Sequence, residues 1–203
     1  MKPAAVIFDL GKVLLDFDYS ITANALAAQC DVPAEELRQH IDQSPLLLKY
    51  ESGDLTTEEF YEIVRQAAGY HGDYQTFRDA FGGIFSEIPP MVDLHRRLKE
   101  AGVPCYIFSN TNEVAIHHVQ KNFPFFSGFD GYVYSHIVGA MKPLAKIYEA
   151  VEALSGQQGA ALLYIDDREE NIVAGRERGW QAIHHLAPEQ TIAAVEATGV
   201  LPA

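Results

Sequence analysis

From Val103 onward the chain repeats one unit: a short apolar run ending on polar residues, then a stretch with helical spacing. "VPCYIFSN" (103–110) precedes "NEVAIHHVQKNF", "FDGYVYS" (129–135) precedes "PLAKIYEAVEALSG", and "ALLYIDD" (161–167) precedes "REENIVAGRERG". "WQAIHHL" and a helix after Pro188 close the series, and "AAVIF" (4–8) is a further run of this kind near the start. Apolar runs of this length read as buried strands. Their alternation with helices argues for a parallel sheet covered on both faces. "PPMVDLHRRLKEAG" supplies one covering helix, opened by prolines and stopped at Gly102.

Between the first strand and this series, from about Tyr19 to Phe85, the pattern is helical throughout. "ITANALAAQC" and "AEELRQHI" have helical spacing, with Asp31 ahead of Pro33 as a start signal for the second. In "TTEEFYEIVRQAAG", Thr56 is the expected N-cap, Glu59 its capping-box partner and Gly69 the stop. "DYQTFRDAFGGIF" continues in the same way, and no strand is expected in the block. A chain of 203 residues has room for one core with a smaller insert. The expected fold is α/β: a Rossmann-like parallel-sheet core (1–16 and 86–203) with a small inserted all-helical cap (17–85).

Charge and composition narrow the partners. With 28 acidic against 15 basic residues the formal net charge is −13, a surface that repels nucleic acid and anionic lipid. The apolar runs are far short of the roughly 20 residues that span a bilayer. "MKPAAVIFDL" offers too short an apolar stretch for a signal peptide. Cys30 and Cys105 are the only cysteines, so no disulfide framework is expected and a reducing cytoplasm is the default. A monomer or weak homodimer is the expected state.

The strand ends carry the chemistry. Ligands of open parallel sheets sit beyond the carboxyl ends of the strands. Here those ends bear Asp9, then Ser109-Asn110-Thr111, then Lys142 in "GAMKP" after a short loop, then Asp166-Asp167. Singly, an aspartate after a strand is as often a turn or cap residue, Ser-Asn-Thr before a helix is commonly a cap, and a lysine before proline is usually solvated. The adjacent aspartates are harder to explain as structure, since they repel one another unless a cation or proton compensates. A divalent cation with Asp9 as a further ligand resolves this, and hard oxygen ligands suit Mg²⁺.

These segments also carry a resemblance. "VIFDLGKVL", "YIFSNTN", "GAMKP" and "YIDDREEN" resemble, in order and across nearly the whole chain, the four motifs of the haloacid dehalogenase-like superfamily. "FDLGKVLLDFD" with "FSNTN", "MKP" and "IDDREEN" is especially similar to a bacterial subgroup of sugar-phosphate phosphatases, including enzymes acting on glucose 1-phosphate. The resemblance implies hydrolysis of a small phosphorylated substrate in two transfers. Asp9 would attack phosphorus and form an aspartyl-phosphate, which water then hydrolyses. Lys142 and Mg²⁺ would offset the charge of the phosphate. Asp9, the backbone carbonyl of Gly11 and Asp167 would hold the metal, with Asp166 and Asn171 acting through water or as supports. Ser109 and Asn110 would bind the phosphoryl oxygens.

At Gly11 the chain departs from the pattern, because most phosphatases of this superfamily have there a second aspartate that serves as general acid and base. A glycine keeps the backbone ligand and loses the acid, help worth about 10²–10⁴ in rate. Either the leaving group is good, as in an anomeric sugar phosphate, or another group donates the proton. Asp16 and Asp18 are candidates, each with a solvated hinge role as the blander reading. Lys49, Tyr50 and Glu51 in the cap's "LLLKYESGDLT" could touch a sugar, but read first as helix-surface residues. The pairs His117-His118 and His184-His185 point in divergent directions and make poor chelates. Two other functions remain open: a metal-independent dehalogenase using the same Asp9, and a non-catalytic phosphosugar-binding protein.

Overall fold

The computed structural model describes residues 1–201. In chain order the elements are β1 (Ala5–Phe8), β2 (Leu15–Phe17), α1 (Tyr19–Leu26), α2 (Ala34–Ile41), α3 (Pro45–Glu51), α4 (Thr57–Ala68), α5 (Tyr74–Gly82) and β3 (Phe85–Glu87). There follow α6 (Pro89–Glu100), β4 (Cys105–Ser109), α7 (Glu113–Asn122), β5 (Gly131–Tyr134), α8 (Ser135–Val138) and α9 (Ala145–Ser155). Then come β6 (Leu162–Asp166), α10 (Glu169–Glu177), β7 (Gln181–His184) and α11 (Pro188–Ala197).

Five strands form one parallel sheet in the order β5-β4-β1-β6-β7. The first strand therefore lies in the middle, between β4 and β6. Its residues alternate between two cores: Val6 and Phe8 pack with α6, α7 and α11, while Ala5 and Ile7 pack with α9 and α10. Such two-sided burial explains why "AVIF" has no polar position. Among the described residues, no helix is long and apolar enough to cross a membrane.

Helices α1–α5 gather around an apolar cluster of their own, rich in aromatics, including Tyr19, Tyr50, Phe60, Phe77 and Phe81. The ring of Tyr50 stacks on that of Phe60 with centroids 4.6 Å apart. The capping box at Thr56 and Glu59 is formed in full, and Gly69 closes α4 in the left-handed conformation. Three expectations are corrected. Phe85 starts a strand, so the block is not free of β-structure: β2 and β3 pair antiparallel, Phe17 opposite Phe85, at the two passages into and out of the helices. Strands of three residues carry too little pattern to be read from sequence. Asp31 caps no helix, since its carboxylate pairs with His71 and α2 begins after Pro33 without a side-chain cap. Tyr50, finally, is no surface residue but fully buried.

Candidate active site

The parallel register builds the site. Phe8 is level with Ile165, so Asp9 and Asp166, the next residues of adjacent strands, come side by side. Asp167 follows at once, and carboxylate oxygens of Asp9, Asp166 and Asp167 lie within 4.8 Å of one another. Lys142 reaches the same point from the loop before α9. Its ammonium makes all three bonds it can: to Asp9 Oδ1 at 2.9 Å, Asp166 Oδ2 at 2.6 Å and the Phe108 carbonyl at 3.0 Å. The side chain is 1% exposed, with the rings of Phe108 and Tyr164 beside the charge.

The three carboxylates differ in what they have left to give. Asp166 is saturated: Lys142 and the Tyr164 hydroxyl donate to Oδ2, the Arg168 N–H and the Asn171 amide to Oδ1. Burial would raise its pKa, but Lys142 and these donors outweigh burial and hold the carboxyl below its ordinary value. On Asp9 both hydrogen bonds fall on Oδ1, from Leu10 N–H and Lys142, and Oδ2 is left without one. Burial first, then repulsion from Asp166 and Asp167, pushes Asp9 well up against the pull of Lys142. Asp167 is raised by burial and by the charge of Asp166. Lys142 responds in the opposite sense: burial would lower it, and Asp166 and Asp9 keep it raised and charged. Two carboxylates with oxygens to spare, disfavoured as anions where they stand, are the donor set a hard divalent cation fits.

The remaining expected residues separate into two groups. Ser109 and Thr111 are buried at the end of β4 and Asn171 in the first turn of α10, and Gly11 is partly buried two residues past Asp9. Asn110 is spent differently: its Oδ1 accepts the Lys142 N–H at 2.8 Å and its Nδ2 donates to the Lys142 carbonyl at 3.1 Å. The side chain thus clamps the Lys142 loop, and its backbone N–H is what it can offer a phosphate. At Gly11, a Cβ would lie 2.9 Å from Cε1 of Phe17, so the ring of Phe17 stands where a side chain would project. Asp16 pairs with Lys12 and accepts the Phe17 N–H, and Asp18 caps α1 by accepting the Ser20 N–H. Hydrogen bonds to Lys12 and to Ser20, respectively, lower both carboxyls. Neither is a proton donor at neutral pH.

Sequence reasoning missed Tyr164, although the two-residue period of β6 sets it on the same face as Asp166. It kept His184 and His185 from the site, and their ring nitrogens bond elsewhere, to the Asp167 carbonyl and the Thr191 hydroxyl.

Comparison with known proteins gives the chain's relatives. Residues 3–179 match the haloacid dehalogenase-like hydrolase family. A sesquiterpene phosphatase of Aspergillus oryzae is 26% identical over 182 residues, covering 89% of this chain and 88% of its own. A D-ribitol-5-phosphate phosphatase of Bacteroides thetaiotaomicron is 24% identical over 186 residues, 87% of this chain and 88% of its own. The crystal structure of a haloacid dehalogenase family enzyme from B. thetaiotaomicron, complexed with magnesium and inorganic phosphate, shares the fold. It superposes with a TM-score of 0.79 at 23% identity, covering 89% of this chain and 93% of that one.

Proposed function

Given that the chain belongs to the haloacid dehalogenase-like hydrolases, we propose that it is a Mg²⁺-dependent phosphomonoesterase working through an aspartyl-phosphate on Asp9. The observation that carries this reading is the division of labour among the carboxylates: among the described residues Asp9 Oδ2 accepts no hydrogen bond, while Asp166 is saturated and the charged Lys142 bridges the two.

Asp9, the Gly11 carbonyl and Asp167 would hold Mg²⁺, and Asp166 with Asn171 fixes Lys142 and the start of α10 around them. Bound there, the ion withdraws negative charge from the phosphoryl oxygens and from Asp9. Asp9 Oδ2 attacks phosphorus, and the bond to the leaving oxygen breaks. Lys142 holds Oδ1, orienting the nucleophile, and shields it from the incoming dianion. Ser109 Oγ and the Asn110 N–H bind phosphoryl oxygens. Water then attacks the phosphorus of the aspartyl-phosphate and releases inorganic phosphate.

The substrate is a small phosphorylated metabolite, and a sugar or polyol phosphate is the reading favoured by the motif resemblance and by the ribitol-5-phosphate phosphatase relative. Residues 17–85 form the cap that closes over it, hinged at the β2–β3 pair. Two free cysteines and an acidic surface suit a reducing cytoplasm. A dehalogenase of the metal-independent kind would have no use for Asp167. The test is phosphate release from a panel of monoesters, glucose 1-phosphate and glucose 6-phosphate among them, with and without Mg²⁺ and with Asp9→Asn as blank. Magnesium-dependent release lost in Asp9→Asn supports the reading; release insensitive to both sinks it.

A further inference from the structure

The site lacks a proton donor for the leaving group. Gly11 has no side chain and Phe17 fills its space; Asp16 and Asp18 are committed as anions. Asp166 has no free oxygen, and Asp9 and Asp167 would hold the cation. Expulsion of an alkoxide without a proton is slow, so a donor must come from elsewhere.

We propose that Glu51, the last residue of α3, is the general acid that protonates the leaving-group oxygen, entering the crevice from the cap. The inference rests on the phosphatase reading and deepens it. The end of α3 is seated on the loops that build the site. The Glu51 carbonyl accepts the Ser135 hydroxyl at 2.5 Å, and that hydroxyl takes the N–H of Thr111, two residues past Ser109, at 2.9 Å. Two residues on, past the helix end, Gly53 has φ +83° and presses so closely on α8 that a Cβ would lie 2.5 Å from the His136 carbonyl. Tyr50, the neighbouring residue, bonds Thr57 at 2.8 Å, and Thr57 bonds Glu113 at the start of α7 at 2.5 Å. The backbone at position 51 is therefore seated on the α7 and α8 segments of the core, the segments that follow Ser109 and precede Lys142.

Among the described residues the Glu51 carboxyl makes no hydrogen bond and no ion pair, and the charges that act on it are Arg168, next to Asp167, and Lys142, on Asp9. Because both cations adjoin the carboxylate cluster, a carboxyl acted on by both, at the end of a helix seated on α8, faces that cluster from the cap. In-line displacement by Asp9 puts the leaving oxygen on that side. Burial raises the carboxyl to about 8, against the pull of Arg168 and Lys142, so it carries its proton at neutral pH. Titratable groups on the neighbouring elements do not compete for that proton. Tyr19 of α1 stays neutral because burial raises its phenol, and His136 of α8 because burial lowers its imidazole. Asp42, after α2, is paired with Arg38.

The steps balance. As the Asp9–phosphorus bond forms and the phosphorus–oxygen ester bond breaks, the Glu51 proton passes to the ester oxygen, and a neutral alcohol leaves. Glu51, now a carboxylate, takes a proton from the attacking water as the Asp9–phosphorus bond breaks, which restores the acid.

Glu51→Gln tests this through kcat/KM, which reports transfer to Asp9. For the alkyl ester of the panel that the wild-type chain turns over fastest, the expected loss is about 10²–10⁴-fold. For p-nitrophenyl phosphate, whose phenolate leaves without a proton, it is under about tenfold. The wild-type alkyl-ester rate should fall as pH rises through about 8, where Glu51 loses its proton, and the variant should lack that limb. Glu51→Asp, an acid on a shorter stem, should recover part of the alkyl rate. Equal losses on both esters, or an alkaline limb that persists in Glu51→Gln, would overturn the assignment and leave the phosphatase reading intact. No magnesium-dependent release from either ester by the wild-type chain would overturn both.

Discussion

The two halves of the crevice are built by different rules. On the sheet side, the carboxylates and Ser109 sit at strand ends, Lys142 joins them from the loop before α9, and the register of β1 between β4 and β6 decides which groups meet. On the cap side, position comes from tertiary contacts: Ser135 on the Glu51 carbonyl, Gly53 against α8, Tyr50 through Thr57 to Glu113. The sheet side is charged, buried and almost fully hydrogen-bonded. Its partner across the crevice offers one carboxyl without a partner. A rigid, electrostatically loaded half for the phosphoryl group and a separately positioned half for the leaving group is the arrangement this contrast describes.

The contrast can be broken at several points. The largest effect is expected at Lys142. Lys142→Met strips the charge from between two buried carboxylates, and losing one partner of such a cluster costs about 3–5 kcal/mol. Because Mg²⁺ can supply the missing charge, part of that loss should return when the metal is added, as read by urea unfolding with and without it. A loss indifferent to Mg²⁺ would show that the sheet side is not a cation site. At the join of the halves, Gly11→Asp should not rebuild an acid but collide with Phe17, destabilising by about 1–3 kcal/mol. Combining it with Phe17→Leu should recover a good part of this in a double-mutant cycle, whereas additive effects would mean that the ring does not limit position 11. The smallest effect belongs to the cap: Tyr50→Phe removes one hydroxyl from the link to α7 and should cost about 1 kcal/mol, measured as a shifted urea midpoint. A cost of several kcal/mol there would mean that the cap seat, too, is a tightly coupled buried network.

The same division governs what the sequence discloses. A residue at the end of an apolar run in an alternating pattern has its place dictated by topology, so sequence alone brings Asp9, Ser109, Asp166 and Asp167 to one end of the sheet; Lys142 lies beyond α8 and is placed by its motif. The Asn110 side chain bonds the Lys142 backbone and leaves the N–H for an anion, a division that sequence does not disclose, because a side chain that clamps a neighbouring loop looks there like one that binds a ligand. Glu51 had no such guide. The helical period of α3 says which residues share its face, and nothing in it says that the helix end abuts Thr111 and Ser135, 60 or more positions further on. Phe17 and the β2–β3 pair were hidden for the same reason: each strand is three residues long, and what pairs them is the return of the chain from the helices.

The central claim is that Asp9 carries the phosphoryl group between two transfers. The most direct test is rapid acid quench of the wild-type chain during turnover of a phosphomonoester with Mg²⁺, followed by peptide mass analysis and treatment with hydroxylamine. The account predicts one phosphoryl group on the peptide containing Asp9, removed by hydroxylamine and missing from Asp9→Asn. Steady hydrolysis with no phosphoryl on that peptide at any quench time, or a phosphoryl group on a different residue, would contradict it.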